Sequence, residues 1–286
     1  MDHVIEIKGL RKVYRDFWYR PKVIAIDRLD MEVKKGEIFG FLGPNGSGKT
    51  TALKLMLGLI FPTSGKIRIL GKVPTDVRIK EQIGYMPEES YLYGFLNADE
   101  TLDFYGKLNG IPRARRKERI EKVLDIVGLK HARKRRLSDY SKGMSRRISL
   151  AQVLLKDPDL VLLDEPTIGL DPVVSREVKD VILGLKSEGK TVVLSSHLLS
   201  EVQTVCDKIA ILCEGKLIKE GNVDELLTVN GETEIVASGL KQEDISRIKD
   251  VISSSGGKFI SSGHPKETLE GLFIKSIKEK QESKSN

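Results

Sequence analysis

The chain of 286 residues is poor in cysteine, with only Cys206 and Cys213, and both stand in apolar, strand-like surroundings. No Cys/His cluster has metal-ligand spacing, so neither a metal-stapled nor a disulfide-stapled fold is expected. The two thiols read as reduced core residues of a cytosolic protein. Nowhere do about eighteen apolar residues run together. The start, Met1-Asp2-His3-Val4, lacks a basic patch leading into an apolar stretch, so neither a membrane span nor a signal peptide is expected. No internal repeat is visible. Excess charge of either sign is also small: 48 basic and 41 acidic residues leave a net +7, which does not by itself imply nucleic acid. What the composition does supply is 40% hydrophobic residues, enough for one large core, or a large and a small one.

Short apolar runs at Glu37–Leu42, Leu160–Leu163 and Thr191–Leu194 are partly β-branched and bounded by Gly, Pro or charge, as buried strands are. They alternate with helical stretches, which points to an α/β sheet. Between Ala98 and Lys156 the pattern changes. Thr101–Asn109, Arg115–Val127 and Lys142–Leu155 carry apolar residues at helical spacing without intervening strands, the mark of a helical insertion. Beyond Gly221 the core pattern fades into a weak strand-helix-strand reading across Glu232–Ile260, and the polar, basic tail to Asn286 has the composition of disorder.

Ile38–Leu42 reads as a buried strand and Lys49–Leu59 as a helix, so Gly43-Pro44-Asn45-Gly46-Ser47-Gly48-Lys49-Thr50 is the turn that joins them. Glycines in such a turn let the backbone approach a ligand closely. Their N–H groups, with the positive end of the following helix, form an anion nest. Lys49 can reach the β- and γ-phosphates of ATP, and the Thr50 hydroxyl can ligate Mg²⁺. Downstream, Leu160–Leu163 runs into Asp164-Glu165-Pro166, two carboxylates at a strand end where α/β folds place ligands. Asp164 is expected to hold Mg²⁺ through water, and Glu165 to polarise the water that attacks the γ-phosphate.

With these elements in place, residues 4–220 resemble the nucleotide-binding domain of ATP-binding cassette transporters. Tyr140-Ser141-Lys142-Gly143-Met144 stands where that family has its Leu-Ser-Gly-Gly-Gln signature, with Ser141 and Gly143 matching; taken alone it is a helix entry with Ser141 as N-cap. Similar Ser-Lys-Gly-Met signatures belong to single-domain cassettes of bacterial exporters, including those for drugs and polysaccharides. Ile168-Gly169-Leu170-Asp171 stands at the D-loop, and His197 stands at the switch histidine. Glu88 falls where the family usually has a glutamine that ligates Mg²⁺; Gln82 lies one strand too early to replace it. The resemblance also implies ATP contacts by Thr51, Ser141, Gly143 and Asp171, and stacking of adenine on Tyr14. The insert Arg15–Pro21 offers Phe17, Trp18 and Tyr19 as rival rings.

The fold implied is an α/β P-loop NTPase cassette at 1–221, with a mostly parallel core sheet, an antiparallel β subdomain and a helical insertion at about 98–156. A small α+β accessory extension at 222–286 ends in the disordered tail. The function implied is ATP hydrolysis that powers a separate transmembrane permease, with export favoured by the signature. One signature and one phosphate loop per chain imply a homodimer, or a pair with a homologous ATPase, closed by ATP. The place implied is cytoplasmic, at the inner face of the cell membrane through the permease, with Tyr91, Tyr93 and Phe95 of Glu88–Leu102 facing it or packing locally. No nucleic acid is expected. The basic runs Arg113–Arg119 and Lys130–Arg136 read first as solvated faces and second as lipid-attracting. The rival function is a soluble cassette ATPase working on ribosomes or DNA. Such proteins carry tandem cassettes or a long coiled-coil insertion, whereas about ninety residues separate Lys49 from Ser141. A small-molecule P-loop kinase would need neither Tyr140–Met144 nor His197.

Overall fold

The computed structural model describes residues 2–18, 20–228, 233, 235 and 238–261. Its first compact unit runs from Met1 to Leu227 and its second from Thr228 to Asn286. In the first, β1 (His3–Arg15) and β2 (Pro21–Lys34) form an antiparallel hairpin, joined later on the β1 side by β4 (Ser64–Ile69). Between them the chain makes β3 (Ile38–Leu42) and α1 (Lys49–Met56). After β5 (Ile83–Met86) come α2 (Ala98–Leu108), α3 (Arg113–Ile126) and α4 (Lys142–Leu154), the expected helical insertion. An Asn97/Glu100 capping box starts α2 by satisfying two otherwise orphaned N–H groups.

The sheet resumes with β6 (Leu160–Asp164), followed by α5 (Pro172–Ser187), β7 (Thr191–Ser196), α6 (Leu199–Val205), β8 (Lys208–Cys213), β9 (Lys216–Asn222) and α7 (Val223–Leu227). Six strands lie in the order β5-β6-β7-β3-β8-β9, parallel except for the β8–β9 hairpin. The central strands are apolar throughout because both faces are covered. Leu42, Val161, Leu163, Val192 and Leu194 face one core with the insertion, α5 and α6. Phe39, Phe41, Leu160, Leu162 and Val193 face the other, with α1 and the three-stranded sheet.

Several expectations change here. Cys206 is buried and its thiol is pushed up by burial, but Cys213 is exposed at the end of β8, because strand alternation turns it away from the core that Leu212 enters. The basic runs are not simply solvated faces. Arg116 bonds Asp103 at 2.5 Å and the Ile111 carbonyl at 2.6 Å. Arg119 caps the C-terminal carbonyls of α4 at Leu154 and Leu155, and Arg133 forks onto Asp99. Helix ends leave such carbonyls unpaired, and an arginine is a fitting donor.

The second unit contains α8 (Gln242–Ser254). Residues 257–261, read above as a strand, pair with no strand among the described residues. The strand expected before α8 falls largely, and the tail entirely, outside the described residues.

Candidate active site

Strand order assembles the site. Because β7 lies between β6 and β3, Asp164 pairs with Ser195 while Leu42 pairs with Ser196. The segments leaving β3, β6 and β7 therefore emerge side by side at the carboxyl edge, where open α/β sheets bind ligands. These are the Gly43–Thr50 turn, the Asp164-Glu165 pair and His197. The neighbouring β5 delivers Glu88 to the same edge, with its side chain exposed.

Within the turn, Gly48 has φ 104°, and a Cβ there would come within 2.4 Å of the Ala25 carbonyl, so only glycine lets the loop lie this close to β2. Lys49 is buried, and its ammonium donates to the carbonyls of Gly43 at 2.8 Å and Pro44 at 3.2 Å. It also stands 3.2 Å from Glu165 Oε1. The other carboxylate oxygen, Oε2, meets His197 Nδ1 at 2.9 Å. Glu165 is thus a buried carboxylate between two nitrogen groups. Its φ of 47° lies in the left-handed region, rare for a residue with a side chain. Ser195 holds that conformation: its Oγ accepts the Glu165 N–H at 2.9 Å and donates to Asp164 Oδ1 at 2.6 Å. Thr50 donates to the same Asp164 oxygen at 3.1 Å.

Two buried polar atoms have no hydrogen-bond partner at this edge, Ser47 Oγ and Glu165 Oε1. Buried polar atoms are rarely left so: the Ser47 hydroxyl, with the N–H groups of the turn and Lys49, fits a polyphosphate, whereas the Glu165 oxygen, an acceptor, fits a proton of a water molecule. The donor set also fits a magnesium ion, since Thr50 and Asp164 bring two hard oxygens together, 3.1 Å apart. Among the described residues no group of three or more His, Cys, Asp or Glu could hold a metal. Mg²⁺ bound through one or two protein oxygens, with phosphate and water completing its shell, needs no such group.

The remaining candidates lie apart from this cluster or beside it. Thr51 is the third residue of α1. Ser141 is exposed and caps α4 by accepting from the Met144 N–H at 3.2 Å, as the helix-entry reading expects. Gly143 is buried, and a Cβ on it would come within 2.6 Å of Val174, which packs α4 closely on α5. Asp171 caps α5 through the N–H groups of Val173 and Val174 at 3.0 Å each. Tyr14 is partly exposed opposite Val23, with the Lys12 ammonium 5.1 Å from its ring centroid. Phe17 and Trp18 stack edge-to-face at the exposed hairpin tip; Tyr19 lies outside the described residues.

Sequence reasoning missed two residues. Ser195 was legible only as polar residue closing an apolar strand. Arg146, in a charged stretch of a helix, gave no signal at all, yet it is buried and donates to five backbone carbonyls around the site.

Comparison with known proteins agrees with this architecture. Residues 26–168 match the family model described as ABC transporter. Across 98% of the chain and 91% of the relative, the sequence is 40% identical to an uncharacterized ABC transporter ATP-binding protein of Nostoc sp.. It is 42% identical to the bacitracin transport ATP-binding protein of Bacillus licheniformis, over 79% of this chain and 72% of that one. It is 34% identical to the Nod factor export ATP-binding protein I of Cupriavidus metallidurans, covering 79% and 74%. The structure superposes on cbiO1 from Clostridium perfringens, part of the ABC transporter complex cbiONQ, with a TM-score of 0.72 and 25% identity over 90% of this chain and 98% of that one. The chain belongs to the ABC transporter family. Within it, the protein is an ATP-binding, ATP-hydrolysing subunit.

Proposed function

We propose that this ATPase powers export through a separate permease, and that it hydrolyses ATP at the edge where Lys49, Asp164, Glu165 and His197 converge. The observation that carries the reading is the buried Glu165 carboxylate held between Lys49 and His197. A phosphate chain in the Gly43–Thr50 turn would draw the Lys49 ammonium to itself, freeing Glu165 Oε1 to accept a proton from the attacking water. His197 turns Nδ1 to Glu165, so in the neutral imidazole Nε2 is an acceptor for the attacking water, and it donates to the γ-phosphate only in the imidazolium form. Thr50 and Asp164 would hold Mg²⁺, with Glu88 as a further oxygen donor, and the ion would neutralise charge on the phosphates. Tyr14 offers the ring for adenine.

Exposed Ser141 and buried Gly143 stand at the start of α4, far along the chain from the phosphate loop. In this reading they complete the site of a second copy or of a homologous ATPase, so that ATP closes a dimer and hydrolysis reopens it. The permease surface is the segment after β5. Tyr91, Tyr93 and Phe95 are 85%, 50% and 72% exposed there, and Tyr93 meets Phe95 at a tilt and Phe104 edge-on. No helix among the described residues is long and apolar enough to cross a membrane, which accords with a separate permease. Export is favoured because relatives named above serve bacitracin transport and Nod factor export.

The test is Glu165→Gln. ATP binding should persist while turnover falls by on the order of 10²–10⁴. Hydrolysis within a few fold of the parent protein would remove Glu165 from the mechanism.

A further inference from the structure

Arg146 sits on the second turn of α4, is buried, and spends its whole hydrogen-bonding capacity on backbone. Nη1 donates to the carbonyls of Pro87 at 2.9 Å and Glu88 at 2.6 Å, in the loop that leaves β5. Nη2 donates to those of Asp164 at 2.8 Å and Glu165 at 2.6 Å, and Nε to that of Pro166 at 2.9 Å, in the turn that leaves β6. A guanidinium has five N–H donors, and all five are used. Burial acts against this cation, and the carboxylates of Asp164, Glu88 and Glu165 act for it. A charge kept in such a place at that cost does more than fill space, which an apolar side chain would do better.

The two segments it joins have different expected duties. One opens the exposed aromatic stretch at Tyr91–Phe95, and the other carries Glu165 in its left-handed backbone conformation. Ser195 holds the Glu165 N–H, and Arg146 holds its carbonyl. The guanidinium is planar and rigid. If Pro87 and Glu88 shift, the plane must either release them or turn, and turning moves the carbonyls on its other edge.

We propose that Arg146 is a positioning residue that ties the loop at Pro87–Glu88 to the backbone of Glu165, so that a partner pressing on this loop alters hydrolysis through one side chain. The inference rests on Glu165 as the activating carboxylate. It goes beyond that role by naming the residue through which the outer surface reaches it.

Arg146→Lys is the discriminating variant, because it keeps the charge but replaces a five-donor fork with three donors that cannot serve both segments. Turnover should fall by roughly 10- to 100-fold with KM for ATP little changed, since displacing a reacting group by an ångström has that order of effect. Pro87→Ala should slow the parent protein and have no further effect in the Arg146→Lys background. Amide hydrogen exchange gives a readout independent of activity: residues 88–90 and 165–168 should both exchange faster in Arg146→Lys, while the core of α4 stays protected. Additive effects of Pro87→Ala in the two backgrounds, or faster exchange confined to one segment, would overturn the tie. Full hydrolysis by Glu165→Gln would instead remove the reading beneath it and leave the exchange result standing.

Discussion

Lys49 shows how a residue can be legible in sequence while its surroundings are not. The motif places an ammonium after a glycine-rich turn, and the structure adds Gly43, Pro44 and Glu165 as its partners. The partner across the sheet was invisible in the motif because strand order, not sequence distance, brings β6 beside β7 and β7 beside β3. Arg146 is the sharper case. Its five acceptors are backbone atoms from two distant segments, and backbone acceptors leave no mark on residue type. Tyr14 can be tested at the same scale. Tyr14→Ala should weaken ATP binding about five- to tenfold, the loss of one aromatic stack, while Trp18→Ala should change it less than twofold. Equilibrium titration with ATP checks both, and the reverse ranking would move the adenine to the hairpin tip.

At the level of elements, the helical insertion was readable from its spacing, and Ser141, read as a helix entry, caps α4 as expected, whereas α2 and α3 begin two or three residues before the spacing placed them. Its internal ties were not readable, because arginines in a basic run look alike until their partners are known. Arg133 bridges the start of α2 to α3, with Asp99 at 2.6 Å and Glu121 at 2.6 Å. Burial raises the Asp99 pKa, but Arg133 and Lys134 outweigh it and hold the carboxyl below its ordinary value of 3.8. A folded-state pKa lowered in this way contributes stability above the unfolded value and loses it as pH falls through the folded one. Arg133→Met should therefore cost about 1–2 kcal/mol at pH 7, and the gap to the parent protein should close as pH drops below the ordinary carboxylate range. Urea unfolding across pH provides the measurement. A gap that is constant with pH would assign the loss to packing of the arginine stem.

For the whole molecule, the α/β cassette followed from the order of strands, turn and insertion. Half of the proposed site depends on a second chain. Ser141 permits a clean test because aspartate also caps helices. Ser141→Asp should preserve folding and ATP binding by each chain, yet its negative charge would face the partner's γ-phosphate. In the Glu165→Gln background, ATP should double the mass seen by light scattering, and adding Ser141→Asp should abolish the doubling. Doubling that survives the aspartate would mean that the signature does not close the interface.

The β1–β2 hairpin has an optical consequence. Trp18 is the chain's one tryptophan, 72% exposed and touching Phe17 at the tip rather than any core residue. Its emission should be that of a water-facing indole in the native protein and should change little when the sheets melt. Unfolding must then be followed by circular dichroism. The same isolation makes Trp18 a local lamp, four residues from Tyr14, whose colour or quenching on adding nucleotide would report motion at the proposed adenine end of the site without any label.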